Sequence, residues 1–168
     1  MNEPDSLADS FIRMRDLLLI AADSVPPDAR ETPFVGHWHL MDLLAHLVGW
    51  DYTNLRAIED LRAGRVPDFY RHYDPGWAAY NQQLIDRYGA GDWDALRQSL
   101  ERSQEAVGAA MRSLSGEDVK KELSRPGRRR LVSIAGILRA AIADEREHLA
   151  QIRAFLDALR LPDGQSGA

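Results

Sequence analysis

The sequence predicts an all-α fold, a four-helix bundle, on three observations. Apolar residues recur at helical spacing along most of the chain. The breaks between those stretches carry proline, glycine and capping residues. No run of β-branched alternation is long enough for a full strand, although Arg130–Ser133 suits a short extended piece. With 168 residues, 45% of them hydrophobic and 28% charged, the chain suits a single domain over residues 1–168 that buries a core without disulfides or metal.

The first helix is expected from Ser6 to Ala22. Leu7, Phe11, Met14, Leu17 and Leu18 mark its period, Asp5 or Ser6 caps it, and Pro26–Pro27 block its continuation. The second starts near Trp38–Leu40 and runs to Ala63, with Leu40, Leu44, Leu47, Leu55, Ile58 and Leu61 as its stripe and Gly64 as its stop. Gly64 to Tyr73 reads as a loop. Asp74-Pro75 then reads as an N-cap followed by a first-turn proline, opening a helix through Trp77, Tyr80, Leu84 and Ile85 that ends at Gly89–Gly91. Asp92 restarts a helix through Leu96, Leu100, Val107, Met111 and Leu114, and Ser115-Gly116 stop it. Glu117 to Arg130 is polar and reads as a loop. The last long helix spans Ser133 to Leu159, and the tail Pro162–Ala168 is expected to fray.

Composition excludes several kinds of chemistry. There is no cysteine, so disulfides, thiolate zinc sites, iron–sulfur clusters and cysteine nucleophiles are all ruled out. A net charge of −5 argues against a nucleic-acid partner. The purest apolar run, Leu17 to Ala22, is too short to span a bilayer, and the first residues carry acids where an export signal carries bases. The expectation is a cytoplasmic protein with no membrane or nucleic-acid partner.

The residues with chemical potential fall on the second and last helices. Ile137, Ala141, Asp144, His148, Ile152, Phe155 and Leu159 step by three or four and read as a core-facing seam. Asp144 and His148 therefore sit where the other members are apolar, and burying either is costly unless it is paired or coordinated. Glu145 lies on the adjoining stripe with Ile142 and Leu149. His46 shares a face with Leu43 and Trp50 on the second helix. Two imidazoles and one carboxylate suit a divalent transition metal and leave coordination positions open. The bland alternatives are a core histidine and an intrahelical Asp144–His148 pair. Asp42 reads as an N-terminal helix acid, and His37, His39 and His72 lie in loops or at a helix start. Arg128–Arg130 reads as a solvated loop, with anion capture as the alternative. A di-iron bundle is excluded, because only Glu145–His148 supplies a Glu-x-x-His pair. There is no nucleophile elbow, phosphate loop or zincin motif.

The segment from Gly36 to Asp51, with His46 inside Asp42-Leu-Leu-Ala-His46-Leu-Val-Gly-Trp50, resembles the start of the second helix in DinB-like proteins, closest to the ClbS/DfsB branch. Asp144-Glu-Arg-Glu-His148-Leu-Ala-Gln151-Ile152 resembles that family's last-helix motif. The resemblance implies a four-helix bundle, often a homodimer, that holds zinc or nickel through one histidine of the second helix and a His-x-x-x-His pair. His46 and His148 match. Asp144 replaces the remaining histidine, and His39 stands where Ser or Thr is usual as the N-cap. Relatives include thiol-dependent transferases and isomerases, and proteins that disarm reactive electrophiles.

Together these features point to a metal-dependent enzyme, a hydrolase or thiol transferase, acting on a small and electrophilic organic substrate in a stress or detoxification role. A low-molecular-weight thiol is its expected co-substrate. His46, Asp144 and His148 would hold the ion, Glu145 or Glu147 would orient a ligand or relay a proton, and Trp50, Trp77 and Tyr80 would line the pocket. The alternatives are a metal-free binding or sequestering protein with the same pocket, and a dimeric module whose polar seam only fixes helix register. The aromatic-rich third helix adds to the expectation of a homodimer.

Overall fold

Among the described residues six helices form, and four long ones make the bundle. The computed structural model describes residues 3–72, 76–125 and 128–160. Helix α1 is Glu3–Asp23, α2 is Leu40–Arg62, α3 is Trp77–Tyr88, α4 is Trp93–Arg112, α5 is Gly116–Lys120 and α6 is Ile134–Arg160. Two 3₁₀ turns, Pro27–Ala29 and Asp68–His72, lie in the connections. The expected Asp74–Pro75 cap and the Pro162–Ala168 tail lie outside the described residues.

The caps explain where the helices begin. His39 caps α2: its Nδ1 accepts from the Asp42 amide at 3.3 Å while the Asp42 carboxylate accepts from the His39 amide at 3.1 Å. The unusual histidine thus does the work of the expected hydroxyl. Asp92 caps α4 through the Ala95 amide at 2.9 Å. Gly64, at φ +76°, closes α2 in a conformation that a side chain would strain.

Helix α1 lies against α6 and α4, and α2 lies against α4, α3 and α6. Gly49 lets α3 come close to α2, since a Cβ there would lie 2.6 Å from that of Leu84. Helices α2 and α6 approach least among the adjacent bundle pairs, and a cavity opens beside them.

Three sequence expectations need correction. Helix α1 begins at Glu3, so Asp5 and Ser6 lie inside it rather than capping it. The polar stretch after Gly116 is not all loop. Ser115 and Asp118 form a reciprocal cap that starts α5, and β1 (Glu122–Leu123) pairs antiparallel with β2 (Val132–Ser133). This small hairpin runs directly into α6. The core seam of α6 is also rotated from the expected one. Ile137, His148 and Ile152 of the expected seam are buried, but so are Leu138, Ile142, Glu145, Leu149 and Leu156 beside it, whereas Leu159 is exposed and Asp144 is half-buried. Helix α6 carries two adjacent apolar stripes, and packing against α1 selects the one that includes Glu145.

Candidate metal centre

His46 and His148 are both buried, on α2 and α6, with their rings edge to face at 5.2 Å. Asp144 stands between them. One of its oxygens lies 3.5 Å from His148 Nε2 and the other 3.7 Å from His46 Nε2. Two donors bound to one tetrahedral zinc lie about 3.3 Å apart, given bonds of about 2.0–2.1 Å. The three side chains can each offer one ligand atom with all three atoms within 4.8 Å of one another.

The histidine environments suit a ligand role. His148 Nδ1 lies 2.7 Å from Gln151 Oε1, an acceptor, so Nδ1 donates and Nε2 is left to face the site. His148 Nε2 and His46 Nδ1 are buried with no hydrogen-bond partner. Such orphaned atoms are costly in a folded protein. The donor set of two imidazoles and a carboxylate fits a divalent transition metal. Trp38 covers His46, with ring centroids 4.9 Å apart.

The electrostatics reflect the same crowding. Burial pushes His46 below its ordinary value, favouring the neutral ring. Burial also opposes charge on His148, but the neighbouring Asp144 outweighs it and raises His148. For Asp144, burial favours the protonated form. Contacts with His148 and His46 outweigh this and hold the carboxyl well below the usual range.

Next to the triad lies a layer of charge in which Glu145 meets Arg15 and Asp51, two residues that the sequence patterns did not single out. Arg15 of α1 is completely buried and bridges two helices. Its guanidinium donates to Asp51 of α2 at 2.8 and 3.1 Å and to Glu145 of α6 at 2.9 Å, with a further short contact to Glu145. Ser103 of α4 donates to Asp51. Burial works against charge on Arg15, but the two carboxylates outweigh it and raise its pKa; burial raises Glu145 against the pull of Arg15. A signal for this layer was present. Ala8, Phe11, Arg15, Leu18 and Ala22 step by three and four, so Arg15 occupies an apolar position just as Asp144 was thought to.

The cavity beside the triad has a volume of about 600 Å³, within the range of small-molecule sites. His46, Asp144 and Glu145 line it, as do Trp50 and Trp77. Trp50 is tied by its Nε1 to Asn81 at 3.1 Å and sits 5.1 Å from Trp77. Tyr80 backs Trp50 at 5.5 Å rather than joining the lining, and its hydroxyl meets Thr53 at 2.9 Å. Glu147 is exposed and is not on the lining. His37 is exposed, and His72 stacks on Tyr80, so neither is brought to the triad. Arg128–Arg130, read from the sequence as a solvated loop, are exposed and also line the cavity.

A helical bundle with a two-histidine, one-carboxylate cluster beside an aromatic cavity defines a class: bundle proteins with a side-chain site suited to one divalent ion. The chain belongs to the DinB superfamily, whose family model matches residues 10–152. Three solved structures share the fold. One is an uncharacterized protein from Clostridium difficile 630, 17% identical, with 96% of this chain and 99% of that one covered and a TM-score of 0.75. Another, from Streptococcus pneumoniae, is 17% identical over 94% and 92%, with a TM-score of 0.76. The third, described as the sibling lethal factor precursor DfsB, is 15% identical over 96% and 99%, with a TM-score of 0.78. No curated protein matches the chain. No helix among the described residues is long and apolar enough to cross a membrane.

Proposed function

We propose that this protein is a cytoplasmic metal-dependent enzyme that transforms a small organic molecule held in the cavity, by hydrolysis or by transfer to a low-molecular-weight thiol. The observation that carries this reading is the convergence of two buried imidazoles, through His46 Nε2 and His148 Nε2, on one half-exposed carboxylate at the cavity wall, with His148 Nε2 left without a hydrogen-bond partner. His46, Asp144 and His148 hold the ion, with zinc or nickel favoured by the donor set and by family resemblance. The chemistry supplied by such an ion is Lewis acidity, which lowers the pKa of a water or thiol nucleophile.

The chain's own residues do the rest. Gln151 fixes the His148 tautomer so that Nε2 faces the site. Glu145, next to Asp144 in the chain, is held by Arg15, which fixes this turn of α6 beside the site. Trp50 and Trp77 offer an apolar wall that excludes water from a bound substrate. A reactive electrophile suits such a site, which is the basis for proposing a detoxification role.

Elemental analysis of protein purified without chelator tests this reading. The expected result is close to one divalent ion per chain, lost in His148→Ala. A metal-free wild type that still binds small molecules in the cavity would instead make this a sequestering protein.

A further inference from the structure

The cavity lining carries charge of both signs. His46 and Asp144 of the triad line it, and so do Arg125, Arg128, Arg129 and Arg130, the last three of them exposed. The guanidinium of Arg125 already lies over the Tyr70 ring at 4.3 Å, so the basic rim is continuous with the aromatic wall. That wall is made of flat surfaces, with Trp50 edge-on to Phe69 at 5.6 Å and tilted against Trp77 at 5.1 Å.

The carboxylates on the lining are committed elsewhere. Asp51 and Glu145 are held by Arg15, and Asp144 faces the two histidines. Among the described residues Arg129 and Arg130 enter no ion pair with them, and both are exposed. Two exposed positive charges therefore line a cavity whose own carboxylates are engaged by other partners. A guanidinium binds a carboxylate, sulfonate or phosphate in preference to a neutral polar group.

We infer that the cavity takes a small organic anion, its flat apolar body against Trp50, Trp77 and Phe69 and its oxyanion against Arg129 and Arg130. This substrate class deepens the function proposed above and rests on the cavity being the ligand site, yet it does not require an ion to be bound.

Two fluorescent probes with the same aromatic body test it: 1-anilinonaphthalene-8-sulfonate and its uncharged counterpart N-phenyl-1-naphthylamine. Both are titrated into chelator-treated protein and again after zinc is added. The sulfonate is expected to bind about tenfold more tightly than the neutral probe, a difference that shrinks at high salt. R129Q/R130Q, at exposed positions, should weaken the sulfonate about tenfold and move the neutral probe by less than about twofold. Ala140→Trp, which fills the cavity from an exposed position on its lining, should weaken both.

Equal affinity for the two probes overturns the inference, as does an unchanged sulfonate affinity in the double variant. Probe binding that Ala140→Trp leaves intact lies outside the cavity and also overturns it. Chelator-treated protein that keeps the charge preference supports the anion site even if elemental analysis finds no metal, so the two readings fail separately.

Discussion

Asp144 is the residue on which the site turns. Its oxygens face both imidazoles, at 3.5 and 3.7 Å, and a carboxylate is a ligand type that zinc accepts. Asp144→Ala is expected to weaken metal binding by at least tenfold, within the ~10–100-fold range for lost ligand support, whereas Asp144→His should retain or strengthen it. A competition titration at fixed pH measures both, and an unchanged Asp144→Ala contradicts the assignment.

The pH dependence follows from the same contacts. Asp144 raises His148 above its ordinary 6.5, so the imidazolium stabilises the ion-free fold below that value and the contribution is lost as pH rises through the folded pKa. Burial lowers His46, so its contribution has the opposite sign, being present above 6.5 and lost as pH falls. A metal needs both rings neutral. Metal affinity should therefore rise with pH through the interval above 6.5 that His148 sets, and Asp144→Asn should move that rise to lower pH. A titration that is flat between about pH 6 and 8 contradicts this, since histidine titrates there. The triad was legible in the sequence because each member sits at a helical step from apolar neighbours. Arg15 was equally visible in spacing, but an arginine amid a stripe is easily read as an exposed base rather than a buried one.

At the scale of the element, each bundle helix contributes one polar group to a single level. Arg15, Asp51, Ser103 and Glu145 take core positions on α1, α2, α4 and α6. Removing one member of a buried ion-pair set leaves the others uncompensated, at a cost of about 3–5 kcal/mol. Arg15→Met should lose about that much in urea unfolding, and adding Asp51→Asn and Glu145→Gln should restore much of it. A loss below about 1 kcal/mol would mean that water reaches the layer. The same layer explains the rotated seam of α6. Glu145, not Asp144, meets α1, and this leaves Asp144 at the edge where it faces the cavity. Periodicity shows that a helix has an apolar face, but not which of two neighbouring stripes its partner covers. The hairpin before α6 was less legible still, because two-residue strands carry almost no alternation.

Across the whole molecule, the polar layer divides the core into two apolar clusters. Phe11, Leu61, Met111 and Leu138 lie on one side, and Leu18, Leu44, Leu100 and Ile152 on the other. The four-helix architecture was legible because capped, periodic stretches of this length have few other ways to bury their faces. For the homodimer expected from the sequence, the exposed apolar residues suggest a different face from the aromatic third helix. Trp77 and Tyr80 of α3 are engaged around the cavity, while Ile20 of α1 and Leu159 of α6 are exposed large apolar residues. Light scattering should give twice the chain mass of 18.9 kDa, and Ile20→Glu should halve it. A wild type at the mass of one chain contradicts the dimer.

The central claim is that His46, Asp144 and His148 together hold one divalent ion. An anomalous difference map from crystals grown with zinc, recorded at the zinc absorption edge, tests it most directly. The account predicts one strong peak bonded to both imidazoles and to the Asp144 carboxylate at about 2.0–2.2 Å. A triad without a peak, or a peak held by other residues alone, would contradict it.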